Sequence, residues 1–151
     1  MNTTNDFILI SNSKPEDIQP ILDLLKRENL PVKGVEKYLG NFLSLYSNEL
    51  LIGTVGLEIY GNKALLRSLA VDKLHQNKGY GKKLCYEIIE KARLENITEL
   101  YLLTTTAPKF FESIGFVRIP RDSADENVKT SEEFRSLCPS TAVCMMLIIE
   151  D

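Results

Sequence analysis

The sequence has no tryptophan and a single histidine, His75, and these shortages narrow the chemistry from the start. A metal site or a catalytic triad built on several histidines is excluded. The three cysteines, Cys85, Cys138 and Cys144, are an odd number without C-x-x-C spacing, which suggests neither a disulfide framework nor a zinc site. No apolar run approaches the roughly 18 residues needed to span a bilayer. Positive charge is not in excess either: 18 Lys and Arg against 21 Asp and Glu leave a net charge of −3, with a pI near 5.3. That argues against nucleic acid or an acidic membrane surface as the main partner. Met1-Asn2-Thr3-Thr4-Asn5-Asp6 lacks the basic-then-apolar order of a signal peptide, so a cytoplasmic protein is expected.

What is present is ordinary for a globular chain: 44% hydrophobic and 26% charged residues in 151. This length fits one domain, 1–151, with one sizeable core. Phe7 to Ile10 reads as a first strand closed by Ser11-Asn12-Ser13. Ile18, Ile21, Leu24 and Leu25 recur at helical spacing; Pro15 suits the first turn and Leu30-Pro31 the end. Val35, Leu39, Phe42 and Leu43 suggest a short second helix or an irregular segment. Leu45-Tyr46 and Leu51 to Tyr60 read as antiparallel strands around Asn48-Glu49. Gly61-Asn62 then fits a two-residue type II′ hairpin leading into Ala64 to Val71.

A helix over 81–95 follows, with Leu84, Ile88, Ile89 and Ala92 on one face. Leu100 to Thr104 reads as a buried strand, Pro108 to Ile114 as a short helix stopped by Gly115, and Phe116 to Ile119 as a strand. Thr130 and Glu133 make a capping box for a helix through Leu137, and Pro139 ends it. Ala142 to Ile149 is a last strand, whose exposed edge would suit a homodimer. The order β-α-(α)-β-β-β-α-β-α-β-(α)-β predicts an α/β fold with a largely antiparallel sheet.

One segment carries chemistry. The β-rich run ending Leu69-Ala70-Val71 is followed by a short polar loop, Gln76-Asn77-Lys78-Gly79-Tyr80-Gly81, and then by a helix. Glycines let the backbone approach a ligand and take φ values that other residues resist. The free amides of loop and helix start face that ligand, with the positive end of the helix dipole behind them. Such a site binds phosphate. The Q-x-x-G-x-G spacing is neither G-x-x-x-x-G-K-[ST] nor G-x-G-x-x-G. It resembles the pyrophosphate-binding loop of the GNAT acyl-CoA N-acyltransferases, which reads [Q/R]-x-x-G-x-[G/A] after a strand ending L-x-V. Thr104 to Phe116 resembles a second segment of that family, N-x-x-A-x-x-F-Y-x-x-x-G-F, through Ala107, Phe110, Gly115 and Phe116.

The resemblance implies the GNAT fold: a mixed, mostly antiparallel central sheet with splayed fourth and fifth strands and helices on both faces. It implies acetyl-CoA as co-substrate. Leu69, Ala70 and Val71 would lie beside the pantetheine arm, and residues Gln76, Asn77, Lys78, Gly79, Tyr80 and Gly81 would cradle the pyrophosphate. Lys82 or Lys83 would neutralise it, and Thr104, Ala107 and Phe110 would add further contacts. A narrower resemblance, to the arsenic-resistance N-acetyltransferase group, covers nearly the whole chain. It is carried by Leu30-Pro31-Val32, the runs Gly56 to Gly61, Ala64 to Val71 and Tyr101 to Ala107, and Glu133 to Ser140. It implies a small, amino-acid-like amine acceptor, with antibiotics bearing a phosphinate or arsinate among the candidates, and a role in arsenic or antibiotic resistance.

This chain departs from the family where acid and base usually stand. The frequent general-acid tyrosine is Phe111, the amide at the Asn position is Thr104, and the fourth-strand glutamate of histone-type members falls at Leu65. Transfer still needs a group to take an ammonium proton and donors for the oxyanion. A fourth-strand backbone N–H, of Leu69 or Ala70, can supply the donor. Across the hairpin Glu58 stands opposite Leu65, and Arg67 shares that face, diagonal to Glu58. Glu58 could take the proton or bind the ammonium, and Arg67 could clamp a carboxylate. Tyr60 and Thr105 complete the candidate acceptor site. The alternatives are a structural Glu58–Arg67 ion pair, and a non-enzymatic acyl-CoA-binding sensor that lost its acid and base. His75 reads as a solvated loop residue and Cys85 as core.

Overall fold

The computed structural model describes residues 7–150; Met1 to Asp6, read above for a leader, lie outside the described residues, as does Asp151. Seven strands form one mixed sheet: β1 (Ile8–Asn12), β2 (Phe42–Ser47), β3 (Leu50–Tyr60), β4 (Lys63–Val71), β5 (Glu99–Thr104), β6 (Val117–Ile119) and β7 (Val143–Ile148). Their order is β1-β2-β3-β4-β5-β7-β6. The α-helices are α1 (Ile18–Arg27), α2 (Val35–Tyr38), α3 (Tyr80–Leu94) and α4 (Pro108–Ile114). The chain gathers into two compact units, Met1–Gly56 with Ser68–Leu84, and Leu57–Arg67 with Cys85–Asp151.

In the first unit α1 starts from a 3-10 turn at Pro15–Asp17. Its i, i+3, i+4 apolar positions Ile21, Leu24 and Leu25 are buried in a cluster with Val35, Phe42 and Ala70. Asp17 is buried at the helix start. One of its oxygens accepts from the Lys14 amide at 2.8 Å, the Ser44 hydroxyl at 3.0 Å and the Tyr46 hydroxyl at 2.5 Å, which ties the helix to β2. Phe42 and Leu43 belong to β2, not to a second helix, which stops at Tyr38. The reason is cross-strand packing: Phe42 pairs with Gly56, where an added Cβ would lie 2.3 Å from the Phe42 ring. Only glycine leaves room for that ring.

In the second unit Gly61 turns the β3–β4 hairpin with φ +66°, and Asn62 does not share the positive φ, as a glycine-first turn requires. β4 pairs with β5 in parallel over three positions only, Lys63–Leu65 against Glu99–Tyr101, whereas β5 pairs with β7 along its whole length to Thr104. β7 also pairs with β6. It is therefore an interior strand, and the expectation of a free edge at 142–149 is wrong; β1 and β6 are the edge strands. The sequence shows a strand there but not which neighbours it takes.

The helix expected from a Thr130–Glu133 capping box is also different. Thr130 ends a 3-10 turn, Val128–Thr130, and Glu133–Leu137 forms one π-helical turn. Ser131 provides the cap, its hydroxyl accepting from the Phe134 amide at 3.3 Å. Glu133 turns inward to a buried charge instead of back to the backbone.

Candidate active site

The loop after β4 is built in steps. Asp72 caps a 3-10 turn, Lys73–His75, by accepting from the Leu74 amide, and it also meets His75 Nδ1 at 3.3 Å. His75 is thus partly buried on a carboxylate and is not the solvated loop residue expected. Gln76 is fixed next: its Nε2 donates to the Val71 carbonyl at 2.8 Å and to Glu28 Oε1 at 3.2 Å. Asn77 and Gly79 then take left-handed φ values of +64° and +85°. A Cβ at Gly79 would meet nothing within 4 Å, so glycine is required there by conformation and not by crowding.

Lys83 makes a helical bond back to the Gly79 carbonyl at 3.1 Å. The amides of Tyr80, Gly81 and Lys82 precede it and have no helical acceptor. Residues 76–79, Lys82 and Lys83 are exposed. In the strand before the loop Ala70 and Val71 are buried and Leu69 is half-buried. Ser68, just before them, has φ +61° in mid-strand, in the left-handed region.

The second unit holds a set of buried charges. Glu58, Arg67 and Glu133 are 2%, 3% and 4% exposed. Arg67 Nη1 lies 2.6 Å from Glu58 Oε2, and Arg67 Nε lies 3.3 Å from Glu133 Oε2. The Tyr60 hydroxyl donates to Glu58 Oε1 at 2.6 Å, and the Cys138 thiol donates to Glu133 Oε1 at 3.6 Å. Glu58, Arg67 and Tyr60, chosen from hairpin parity, are thus brought together. Glu133 was missed because local sequence does not distinguish it from the exposed Glu132 beside it. Burial pushes its carboxyl up to about 7; Arg67 opposes this rise and Glu58 adds to it. Burial, and then Glu133, push the Cys138 thiol up to about 12, so it stays protonated as a donor.

Thr104 is buried, and its hydroxyl accepts from the Ala107 amide at 3.0 Å, closing the turn into α4. Thr105 is exposed and Phe110 half-buried. Phe111 is buried in edge-to-face contact with Phe110 and Phe116, at centroid separations of 5.1 and 5.8 Å. Among the described residues no helix is long and apolar enough to cross a membrane, and no group of three metal-ligating side chains occurs.

This strand, turn and glycine-bearing loop fall within residues 39–118, which match the acetyltransferase (GNAT) domain family. The chain belongs to the GNAT acetyltransferases. This GNAT chain is 28% identical over 139 residues to an amino-acid acetyltransferase of Neisseria meningitidis, covering 86% of itself and 31% of the relative. It thus spans about a third of the length of that curated relative. A structure of N-acetylglutamate synthase from Neisseria gonorrhoeae, complexed with coenzyme A and N-acetyl-glutamate, superimposes with a TM-score of 0.83 at 22% identity. That match covers 98% of the GNAT chain and 36% of the other. The ribosomal-protein-S18-alanine N-acetyltransferase of Escherichia coli gives a TM-score of 0.74 at 20% identity, with 96% of each chain covered.

Proposed function

We propose that the chain transfers an acetyl group from acetyl-CoA to the amine of a small, amino-acid-like acceptor. The loop of residues 76–81 carries this reading. Residues 76–79 are exposed, the backbone is left-handed at Gly79 with open space where a Cβ would stand, and the loop leads into a fifteen-residue helix whose first amides are free. Those features fit a pyrophosphate. Acetyl-CoA, when bound, supplies the acetyl group as an activated thioester. The chain's own part is to hold and orient. The amides of 76–81 receive the phosphates, and Lys82 or Lys83 offsets their charge. The positive φ of Ser68 departs from regular strand backbone just before Leu69 and Ala70, which supports one of their amides as the N–H donor to a developing oxyanion.

Acceptor recognition falls to the buried Glu58 and Arg67 and the part-buried Tyr60, a polar set suited to an amino acid's opposite charges. The relatives support that class: one is named an amino-acid acetyltransferase, and another was crystallised with N-acetyl-glutamate. The finer reading, arsenic- or phosphinate-bearing amino acids, is supported by the segments that resemble the arsenic-resistance group, Glu133 to Ser140 among them. Thioester consumption with acetyl-CoA and a panel of amino acids, their phosphinate and arsenical analogues, and a ribosomal-protein N-terminal peptide tests the reading. Turnover restricted to free amino acids or analogues is expected; turnover with the peptide alone would overturn it.

One observation favours a non-enzymatic acyl-CoA sensor: a buried phenylalanine in edge-to-face ring contacts stands where the family often holds its acid. Calorimetric binding of CoA without turnover of any amine would establish the sensor.

A further inference from the structure

Among the described residues, the buried charges of the second unit do not balance. One guanidinium, Arg67, serves two carboxylates, and none of the three residues is more than 4% exposed. Two carboxylates sharing one cation away from water do not both stay ionised without a large penalty, and the one with poorer partners takes the proton. Glu58 has the better partners: a 2.6 Å contact to Arg67 and a 2.6 Å phenol donor. Glu133 has a 3.3 Å contact to Arg67 and only a thiol at 3.6 Å. Glu133, with the poorer partners, is therefore the member that gains and loses a proton.

We infer that Glu133 accepts the proton of the acceptor's ammonium group, directly or through water, while Glu58 is a positioning residue that fixes Arg67. The inference rests on the acetyltransferase reading and moves the base from Glu58, where the hairpin placed it, to a residue 75 positions further on. The cation missing from the buried set is supplied by the acceptor itself, so the site selects an ammonium over a neutral or anionic group. An N–H proton passes from nitrogen to the Glu133 carboxylate. The freed lone pair forms the C–N bond while the thioester C–S bond breaks and its electron pair leaves on sulfur. The second amine proton ends on that thiolate, and Glu133 returns its own proton to water.

Two further features agree. Glu133 opens a π-helical turn, a rare element that recurs at functional sites. Its carboxyl, held near 7, is poised for exchange at neutral pH. The ionisable groups around it are Arg67 and Glu58 from the hairpin, Tyr60 behind Glu58, and Cys138. Arg121 donates to the carbonyls of Phe134 at 2.8 Å and Cys138 at 3.5 Å.

The test is the pH dependence of kcat and KM for the best acceptor of the amino-acid panel, with the full chain and its Glu133→Gln, Glu58→Gln and Cys138→Ala variants. The wild type should show a limb in kcat near pH 7 that rises with pH. Glu133→Gln should lower kcat about 10²-fold and remove the limb, with unchanged calorimetric affinity for CoA. Glu58→Gln should mainly raise acceptor KM and keep the limb. Cys138→Ala, which removes a donor to the carboxylate, should move the limb to higher pH in a folded protein. A wild-type kcat and limb in Glu133→Gln would overturn the inference. If CoA binds but no amine is turned over, the acetyltransferase reading fails instead. Carboxyl carbon NMR still reads Glu133 in that case, and titration in the ordinary carboxylate range would overturn its assignment.

Discussion

Removing different members of the Glu58–Arg67–Glu133 set should have unequal effects. Arg67→Met keeps much of the volume but leaves two buried carboxylates facing each other, which should cost about 3–5 kcal/mol at neutral pH. Urea unfolding measures it, and the cost should shrink in acid, where Glu133 carries a proton. Glu133 also gives the native protein a stability slope of its own. Its folded carboxyl titrates near 7 against an ordinary 4.5, so the folded state holds the proton more tightly than the unfolded chain. That contribution is fully present below about 4.5 and is lost as pH rises to about 7, at about 1.4 kcal/mol per unit of separation. Urea midpoints at pH 5 and pH 8 should therefore diverge less in Glu133→Gln than in the wild type. An equal slope in both would show that Glu133 titrates elsewhere.

At the scale of elements, what was legible is what local chemistry specifies. Helix α1 followed from Ile18, Ile21, Leu24 and Leu25, the hairpin from Gly61, and α4 from Pro108 and Gly115, because each is dictated by neighbours in the chain. The turn after β4 was legible for the same reason: the Gln76 side chain bonds the Val71 carbonyl five residues back, and Gly79 takes its left-handed φ locally. What failed depended on distant partners. β7 is interior because β6 folds back onto it, Phe42 is strand because Gly56 makes room for it, and Glu133 is buried because Arg67, 66 positions earlier, draws it in. Gly56→Ala tests this kind of constraint. With 2.3 Å between the new Cβ and a fully buried ring, it should destabilise the protein by about 1–3 kcal/mol, seen as a lower urea midpoint. An unchanged midpoint would mean that Phe42 has somewhere else to go.

At the scale of the whole molecule the net charge of −3 opposes an incoming polyanion, yet the proposed co-substrate is one. At physiological salt fields beyond about 8 Å are screened. On the proposed reading, what decides binding is then local: free amides at the start of α3 and the exposed lysines Lys78, Lys82 and Lys83. Binding through this local site should stabilise the entire fold by mass action. Free CoA at a hundredfold excess over its Kd adds about 2.7 kcal/mol. For a chain of this size that is a rise in Tm of roughly 5–11 °C. Gly79→Asp should abolish the rise, because it places a Cβ at φ +85° and a negative charge where phosphate must approach. The variant's own Tm without ligand separates loss of the site from loss of the fold. A Gly79→Asp protein that melts normally and still shifts with CoA would remove the loop from the binding site, and the acetyltransferase reading would lose the observation that carries it.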